Sequence, residues 1–380
     1  MAAVFTPRAT FPIPNSIPKT YFLGHHQAGA NKIKSVLPLV SLVLECRDFR
    51  LPLSTHNPHL EGAITSSTSA GVGVRERIVV YTKTDLGSDS PRAREALRKA
   101  HSCSQGGGGG GGGGVVFWDK NRPASTADLV RRLREVAARH HGLTGVRALV
   151  VGMPNVGKST LLNALRSAGT TSARGGKKKA KAAKTGDQAG VTRKVGTAVR
   201  VIDAESASSS SSSGQGGGGG GDGGGGGVGA GVYVMDTPGI FQPYVRDGET
   251  MLKVALAHGI KKGLVADEIL ADYLLFRLNL LGGSGAYARY CPPTNDVRDL
   301  LAAVAAREGR LLPGGVPNLR EAAARVLSLW RAGDMGRYVL DDLGDEHVRA
   351  HRLLVAEPGL SMNQARKLDK EQRKKSRVDA

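Results

Sequence analysis

Six short apolar runs lie ahead of Asp236: Leu39–Glu45, Arg77–Tyr81, Val115–Trp118, Val146–Val151, Thr197–Ile202 and Val232–Met235. They are strand-sized and rich in β-branched residues, which suit a pleated surface. Stretches with helical spacing of apolar positions alternate with them and predict helices over Pro91–His101, Ser125–His141 and Ser159–Ser167. Continuous apolar strands separated by helices predict a mostly parallel sheet with helices on both faces. From about Gly248 onward the strand pattern stops. Helical periodicity takes over at Leu264–Leu280, Asp296–Glu308 and Leu319–Ala332, with Asn295 and Asn318 as N-caps of the last two. The pattern is therefore α/β, followed by a small all-α domain.

Three stretches interrupt it. Residues 103–114, 168–190 and 204–231 are dominated by glycine, lysine and serine and read as disordered insertions in loops. Loop closure costs little more as a loop lengthens, so a fold can carry them. The remaining organisation is an α/β core at 21–247, the helical domain at 248–345 and a basic tail at 346–380. Residues 1–20 hold Arg8 and Lys19 but no acid, which suits import into an organelle, although Pro7, Pro12, Pro14 and Pro18 would break an amphipathic helix.

Charge changes the picture more than composition does. The 380 residues carry a net charge of +20, which favours a polyanionic partner such as nucleic acid or an anionic membrane surface. Aromatic residues make up only 4%, so contact with phosphates is expected rather than base stacking. Cys46, Cys103 and Cys291 are too few and too scattered for a disulfide framework or a cysteine zinc site. No apolar run is long enough to span a bilayer.

Three motifs carry chemistry. Gly152-Met-Pro-Asn155-Val156-Gly157-Lys158-Ser159-Thr160 fits the P-loop pattern and lies between a predicted strand and a predicted helix. Its backbone N–H groups would hold the β-phosphate, Lys158 the β- and γ-phosphates, and Ser159 a Mg²⁺ ion. Asp236-Thr237-Pro238-Gly239 ends the last strand; Asp236 can hold Mg²⁺ through water, and the Gly239 N–H can touch the γ-phosphate. Thr82-Lys83-Thr84-Asp85 follows the second strand and resembles the guanine-specificity motif of GTPases. Asp85 can accept from both N1–H and N2–H of guanine, a pair of donors that adenine does not offer. The strand Val115–Trp118 leads into Asp119-Lys120-Asn121, where the segment bracing the guanine ring is expected, without one residue standing out.

The base motif precedes the P-loop, the reverse of the order in a small GTPase. A sheet whose termini lie close together accepts such a circular permutation. In this order the chain resembles the circularly permuted GTPases of ribosome assembly, the family of bacterial ribosome biogenesis GTPase A and its organellar relatives. Further stretches carry the resemblance: Tyr21-Phe-Leu-Gly24-His25; Glu45 to Pro58, similar to the pattern Glu-x-Arg-Asp-Ala-Arg-x-Pro-x-Ser-x-x-Asn-Pro; Gly190-Val191-Thr192; and Gly314-Gly315-Val316-Pro317-Asn318-Leu319 with Gly336-Arg337-Tyr338. It covers about residues 20 to 345, the insertions excepted.

The resemblance implies a slow GTPase stimulated by the ribosome and by K⁺. It places Thr192 in the Mg²⁺ shell and in the catalytic step beside Lys158, and makes Asn155 a K⁺ ligand. Ile240 stands at the position where Ras-like enzymes keep a water-orienting glutamine, and His25 matches the histidine proposed to replace it. It also implies a monomer in the mitochondrial matrix that binds the large ribosomal subunit and its rRNA, with peripheral contact to the inner membrane. The residues alone leave open a plastid location, a non-hydrolysing RNA-binding scaffold stabilised by GTP, and a P-loop ATPase or small-molecule kinase.

Overall fold

The computed structural model describes residues 5–21, 24–66, 75–102, 114–140, 145–169, 196–202, 231–245 and 247–356, with a few positions between 363 and 371. Strands β1 (Leu42–Asp48), β2 (Glu76–Thr82), β3 (Val115–Phe117), β4 (Val146–Gly152), β5 (Val199–Ile202) and β6 (Val232–Asp236) form one sheet in the order β3-β2-β1-β4-β6-β5. Neighbours run parallel except β5, which lies antiparallel on the edge beside β6. All six predicted strands form. The first starts at Leu42 rather than Leu39, because Leu37–Leu39 make a 3₁₀ turn around Pro38, which has no N–H to give a ladder.

Alternation along the strands sorts their side chains into two cores. On one face, Leu44, Val80 and Val150 pack with Leu129 and Leu133 of α4 (Pro123–Arg139) and Leu161 and Leu165 of α5 (Lys158–Gly169). On the other, Val43, Leu149 and Val151 pack with Ala30 and Ile33 of α1 (Gly24–Val36) and Leu60, Ala63 and Ile64 of α2 (Pro58–Ser66). Leu97 of α3 (Pro91–Ser102) joins Phe49, Val79 and Tyr81. Helices α1 and α2 are absent from the sequence expectations.

Beyond the sheet come α6 (Gly248–Leu256), α7 (Asp267–Leu280), α8 (Val297–Arg307), α9 (Leu319–Ala332) and α10 (Asp345–Ala356). Helix α7 is apolar almost all round and buried, so it forms the centre of this layer. Asn318 caps α9 as expected, accepting from Glu321 N at 3.2 Å, and Gly333 closes it at φ +93°. Helix α8 corrects one expectation. Its cap is Asp296, which accepts from Arg298 N at 2.8 Å, and not Asn295. Asn295 instead accepts from Arg8 N at 3.2 Å and donates to Thr6 O at 2.8 Å. Helix α10, from its second residue on, lies in the stretch expected to be a basic tail, and buries Val348.

Residues 5–21 are part of the packed structure. Phe11 meets Tyr273 edge-on, with ring centroids 5.2 Å apart. Arg8 pairs with Asp272 at 2.5 Å, and Ile17 and Tyr21 are buried. Nearly all of the three expected insertions, and much of the basic tail, lie outside the described residues. Among the described residues no helix is long and apolar enough to cross a membrane.

Candidate nucleotide-binding site

Strands β2, β1, β4 and β6 are neighbours and parallel, so their C-terminal ends share one edge of the sheet. Ligands of open α/β sheets bind at that edge. Strand β4 ends at Gly152 with φ +145°, where a Cβ would come within 2.4 Å of Cys46 O; only glycine fits. The loop then turns through Asn155 at φ +56° and Gly157 at φ +95° into the N-terminus of α5. Lys158 is buried and its ammonium donates to Met153 O at 2.7 Å, closing the loop on itself. Burial lowers its pKa, against the opposing pull of Asp236. Val156 is buried beneath the loop, and Thr160 is half-buried in the first turn of α5.

Ser159 Oγ donates to Asp236 Oδ2 at 2.5 Å. The second oxygen, Oδ1, is buried without a hydrogen-bond partner among the described residues. Burial raises the carboxyl's pKa, partly offset by the Ser159 hydroxyl and by Lys158. An unsatisfied carboxylate oxygen beside a hydroxyl is a hard, oxygen-only donor pair, and it fits Mg²⁺. Thr192, the other expected Mg²⁺ ligand and catalytic residue, lies outside the described residues.

The base motif meets the P-loop directly. Thr82, at the end of β2, is fully buried, and its hydroxyl lies between the carbonyls of Arg47, at 3.1 Å, and Val156. Lys83 takes φ +57°, and its ammonium donates to Asn155 O at 2.6 Å and to Asp48 Oδ2 at 2.9 Å. Thr84 N donates to Trp118 O at 3.4 Å. Asp85 accepts from Asn121 Nδ2 at 3.2 Å through Oδ2, while Oδ1 is buried without a partner among the described residues. Asn121 thus lies in the segment after Trp118, where the ring-bracing residue is expected, and fixes the Asp85 carboxylate.

The segment after β6 folds back on the P-loop. A Cβ on Gly239 would come within 2.5 Å of Pro154 Cα, and Ile240 N donates to Gly152 O at 3.2 Å. Thr237 Oγ1 donates to Val150 O at 2.7 Å. The Ile240 side chain is fully buried among Ala30, Ile33, Leu149 and Val151, so it reaches no phosphate. Of the paired histidines, His26 approaches this segment: its Nδ1 is 3.1 Å from Gly239 O and 3.4 Å from Phe241 N. The side chain of His25 lies outside the described residues. Asn155 Nδ2 donates to His258 O at 2.7 Å, joining the P-loop to the turn after α6.

The family model described as "50S ribosome-binding GTPase" matches residues 147–298, a span that opens at β4 and leaves the base motif upstream. Mitochondrial GTPase 1 of Schizosaccharomyces japonicus is 31% identical over 91% of this chain and 97% of its own length. The chain belongs to the Mitochondrial GTPase 1 family. Within this family of GTPases, the Saccharomyces cerevisiae Mitochondrial GTPase 1 is 30% identical over 87% of this chain and 83% of its own length. The protein named Mitochondrial ribosome-associated GTPase 1 in Bos taurus is 27% identical over 88% and 92%. Among solved structures, GNP-bound YlqF from T. maritima aligns over 83% of this chain and 98% of its own, at 21% identity and a TM-score of 0.47.

Proposed function

We propose that this chain is a GTP-hydrolysing switch of the mitochondrial matrix that binds the large ribosomal subunit and promotes its assembly. One observation carries the reading: Lys83 of the base motif bonds the P-loop carbonyl of Asn155, with an unsatisfied oxygen of Asp85 beside it and one of Asp236 beyond it. Two unsatisfied buried acceptors are costly unless a ligand completes them. Asp85 would accept from guanine N1–H and N2–H, and Asn121 would hold its carboxylate in place. The backbone of the loop and Lys158 would bind the phosphates. Ser159, Asp236 and Thr192 would hold Mg²⁺, which when bound neutralises charge on the β- and γ-phosphate oxygens. Asn155 would hold K⁺ beside them.

The Ile240 side chain is buried and has no polar atom, so another group must orient the attacking water. His25 is the residue that the resemblance implies, and His26 holds the Gly239 carbonyl. The names of the relatives support a mitochondrial, ribosome-bound role. The basic tail, with Lys367, Lys370 and Lys374, and the lysine-rich 168–190 stretch would contact rRNA phosphates. Such binding weakens with salt by about 0.7–0.9 in logarithmic slope per phosphate neutralised.

The test is sedimentation of tagged protein from mitochondrial lysate with GDP or a non-hydrolysable GTP analogue. Co-migration with large subunits only with the analogue is expected; migration indifferent to nucleotide would overturn the switch. Single-turnover hydrolysis in K⁺ and in Na⁺, with and without large subunits, is expected to be fastest with K⁺ and subunits. No turnover in any of these would leave a GTP-stabilised scaffold, the reading that Ile240 in the glutamine position leaves open. In the same assay Ser159→Ala is expected to lower turnover by roughly 10²-fold or more, since a group fixing the metal acts where charge develops. A wild-type rate would remove Ser159 from the site.

A further inference from the structure

The stretch from Glu45 to Pro58 matches the family pattern, yet it holds none of the nucleotide motifs. The structure shows what it touches. At its start, Asp48 accepts from Arg50 N at 3.0 Å, from the Arg50 guanidinium at 3.0 and 2.7 Å, and from Lys83 at 2.9 Å. In its middle, the Arg50 guanidinium lies 4.6 Å from the ring centre of Trp330, and Arg50 O accepts from Leu340 N at 2.8 Å. Asp341, just after, accepts from Leu53 N at 2.9 Å, Ser54 N at 2.8 Å and Ser54 Oγ at 2.6 Å. At its end, Asn57 Nδ2 donates to Ile240 O at 2.8 Å.

Asn57 is 2% exposed and has two separate tasks. Its Oδ1 accepts from His59 N at 3.0 Å, and so caps α2, whose first residue is Pro58. Its Nδ2 faces the other way, onto the segment after Gly239. There the Ile240 residue is held at both ends: its N–H by Gly152 O of the P-loop, its carbonyl by Asn57. Gly239, whose N–H is the expected γ-phosphate contact, is the residue just before.

We propose that Asn57 is a positioning residue for the γ-phosphate: by fixing the Ile240 carbonyl it holds the Gly239 N–H where the third phosphate binds. The assignment rests on the nucleotide-site reading above. It goes beyond that reading, because Asn57 touches no part of the site itself. Residues 48–57 thus bracket the site: Asp48 secures the lysine at the base end and Asn57 the peptide at the phosphate end. Trp330, Leu340 and Asp341 tie the middle of the bracket to the helices.

The two tasks of Asn57 can be separated. Asn57→Asp keeps an oxygen to cap α2 but sets a carboxylate against the Ile240 carbonyl. Asn57→Ser also keeps a capping hydroxyl, adds no charge, and is too short to reach Ile240. Dissociation constants for GDP and for a non-hydrolysable GTP analogue are the measurement, with turnover recorded alongside. Both variants are expected to bind GDP within about twofold of wild type and to lose about tenfold in affinity for the analogue, the effect of about one hydrogen bond. Turnover is expected to fall by a similar factor. Equal losses for GDP and analogue, or an unchanged ratio with a lowered melting temperature, would make Asn57 only a helix cap. If wild type binds the analogue but never turns over, the enzyme reading fails while the affinity ratio still decides Asn57. If wild type binds neither nucleotide, the site reading and the role of Asn57 fall together.

Discussion

Asp85→Asn is expected to weaken GDP and GTP binding by about 10³-fold or more and to create affinity for xanthosine nucleotides. The reason lies in the two oxygens of Asp85. One accepts from Asn121 and the other is buried without a partner among the described residues, so the carboxylate is fixed and open to further donors. Guanine supplies two N–H groups on one edge. An amide in place of the carboxylate turns a donor towards a donor, and sites built on such pairs discriminate by roughly 10⁴-fold or more. Xanthine carries a carbonyl at that position and restores the match. Isothermal titration with GDP, XDP and ADP checks it. Unchanged GDP affinity, or a variant indifferent to the base, would mean that Asp85 does not read guanine and that an ATPase or kinase reading is open again.

The second large effect is on the fold. Asp48 is 1% exposed and serves two cations, Arg50 and Lys83. Burial alone would raise its pKa; the Arg50 guanidinium and the Lys83 ammonium outweigh burial and hold the carboxyl well below the usual carboxylate range. Asp48→Ala leaves both cations without their anion. Removing one partner of a buried pair costs about 3–5 kcal/mol. In a protein of this size that lowers the melting temperature by roughly 10 °C. A depressed folded pKa means that the contribution is present above the unfolded value and is lost as pH falls. The gap between wild type and variant is therefore expected to stay constant from pH 6 to 8 and to narrow below about pH 4. Thermal melts across that range check it, and a gap that widened on acidification would contradict the assignment.

Much of this molecule can be read from its residues. The strands are legible because β1, β2 and β4 are buried on both faces at Leu42–Leu44, Ile78–Tyr81 and Ala148–Val151, which therefore run apolar. The P-loop is legible because its glycines are forced: one meets a backbone oxygen, the other takes a left-handed turn. Helix α1 is not, since among its described residues Ala30 and Ile33 join the buried core, Val36 packs at its edge, and two glycines dilute the periodicity. Asn295 and Asp296 are both able to cap a helix, and only the backbone decides between them. Asn121 carries no local signal at all: its role exists because β3 pairs with β2 and brings the segment after Trp118 to Asp85. His25 and His26 are one helical step apart, about a quarter-turn, and that rotation puts His26 against Gly239. Asn57 hides in the same way, within a stretch that reads as a motif but whose partner, Ile240, lies far along the chain.

The position of β1 at the heart of the sheet has a consequence for how the polypeptide matures. Its flank towards β4 pairs Leu42 with Ala148, so that edge has no strand beside it until residues through Gly152 have left the translating ribosome. Asp236 arrives later still. In the proposed site, nucleotide therefore cannot assist the early stages of folding, because the half that would grip the base is synthesised before the half that would grip phosphate. Pairings this distant along a chain form slowly and leave strand edges open to misassociation.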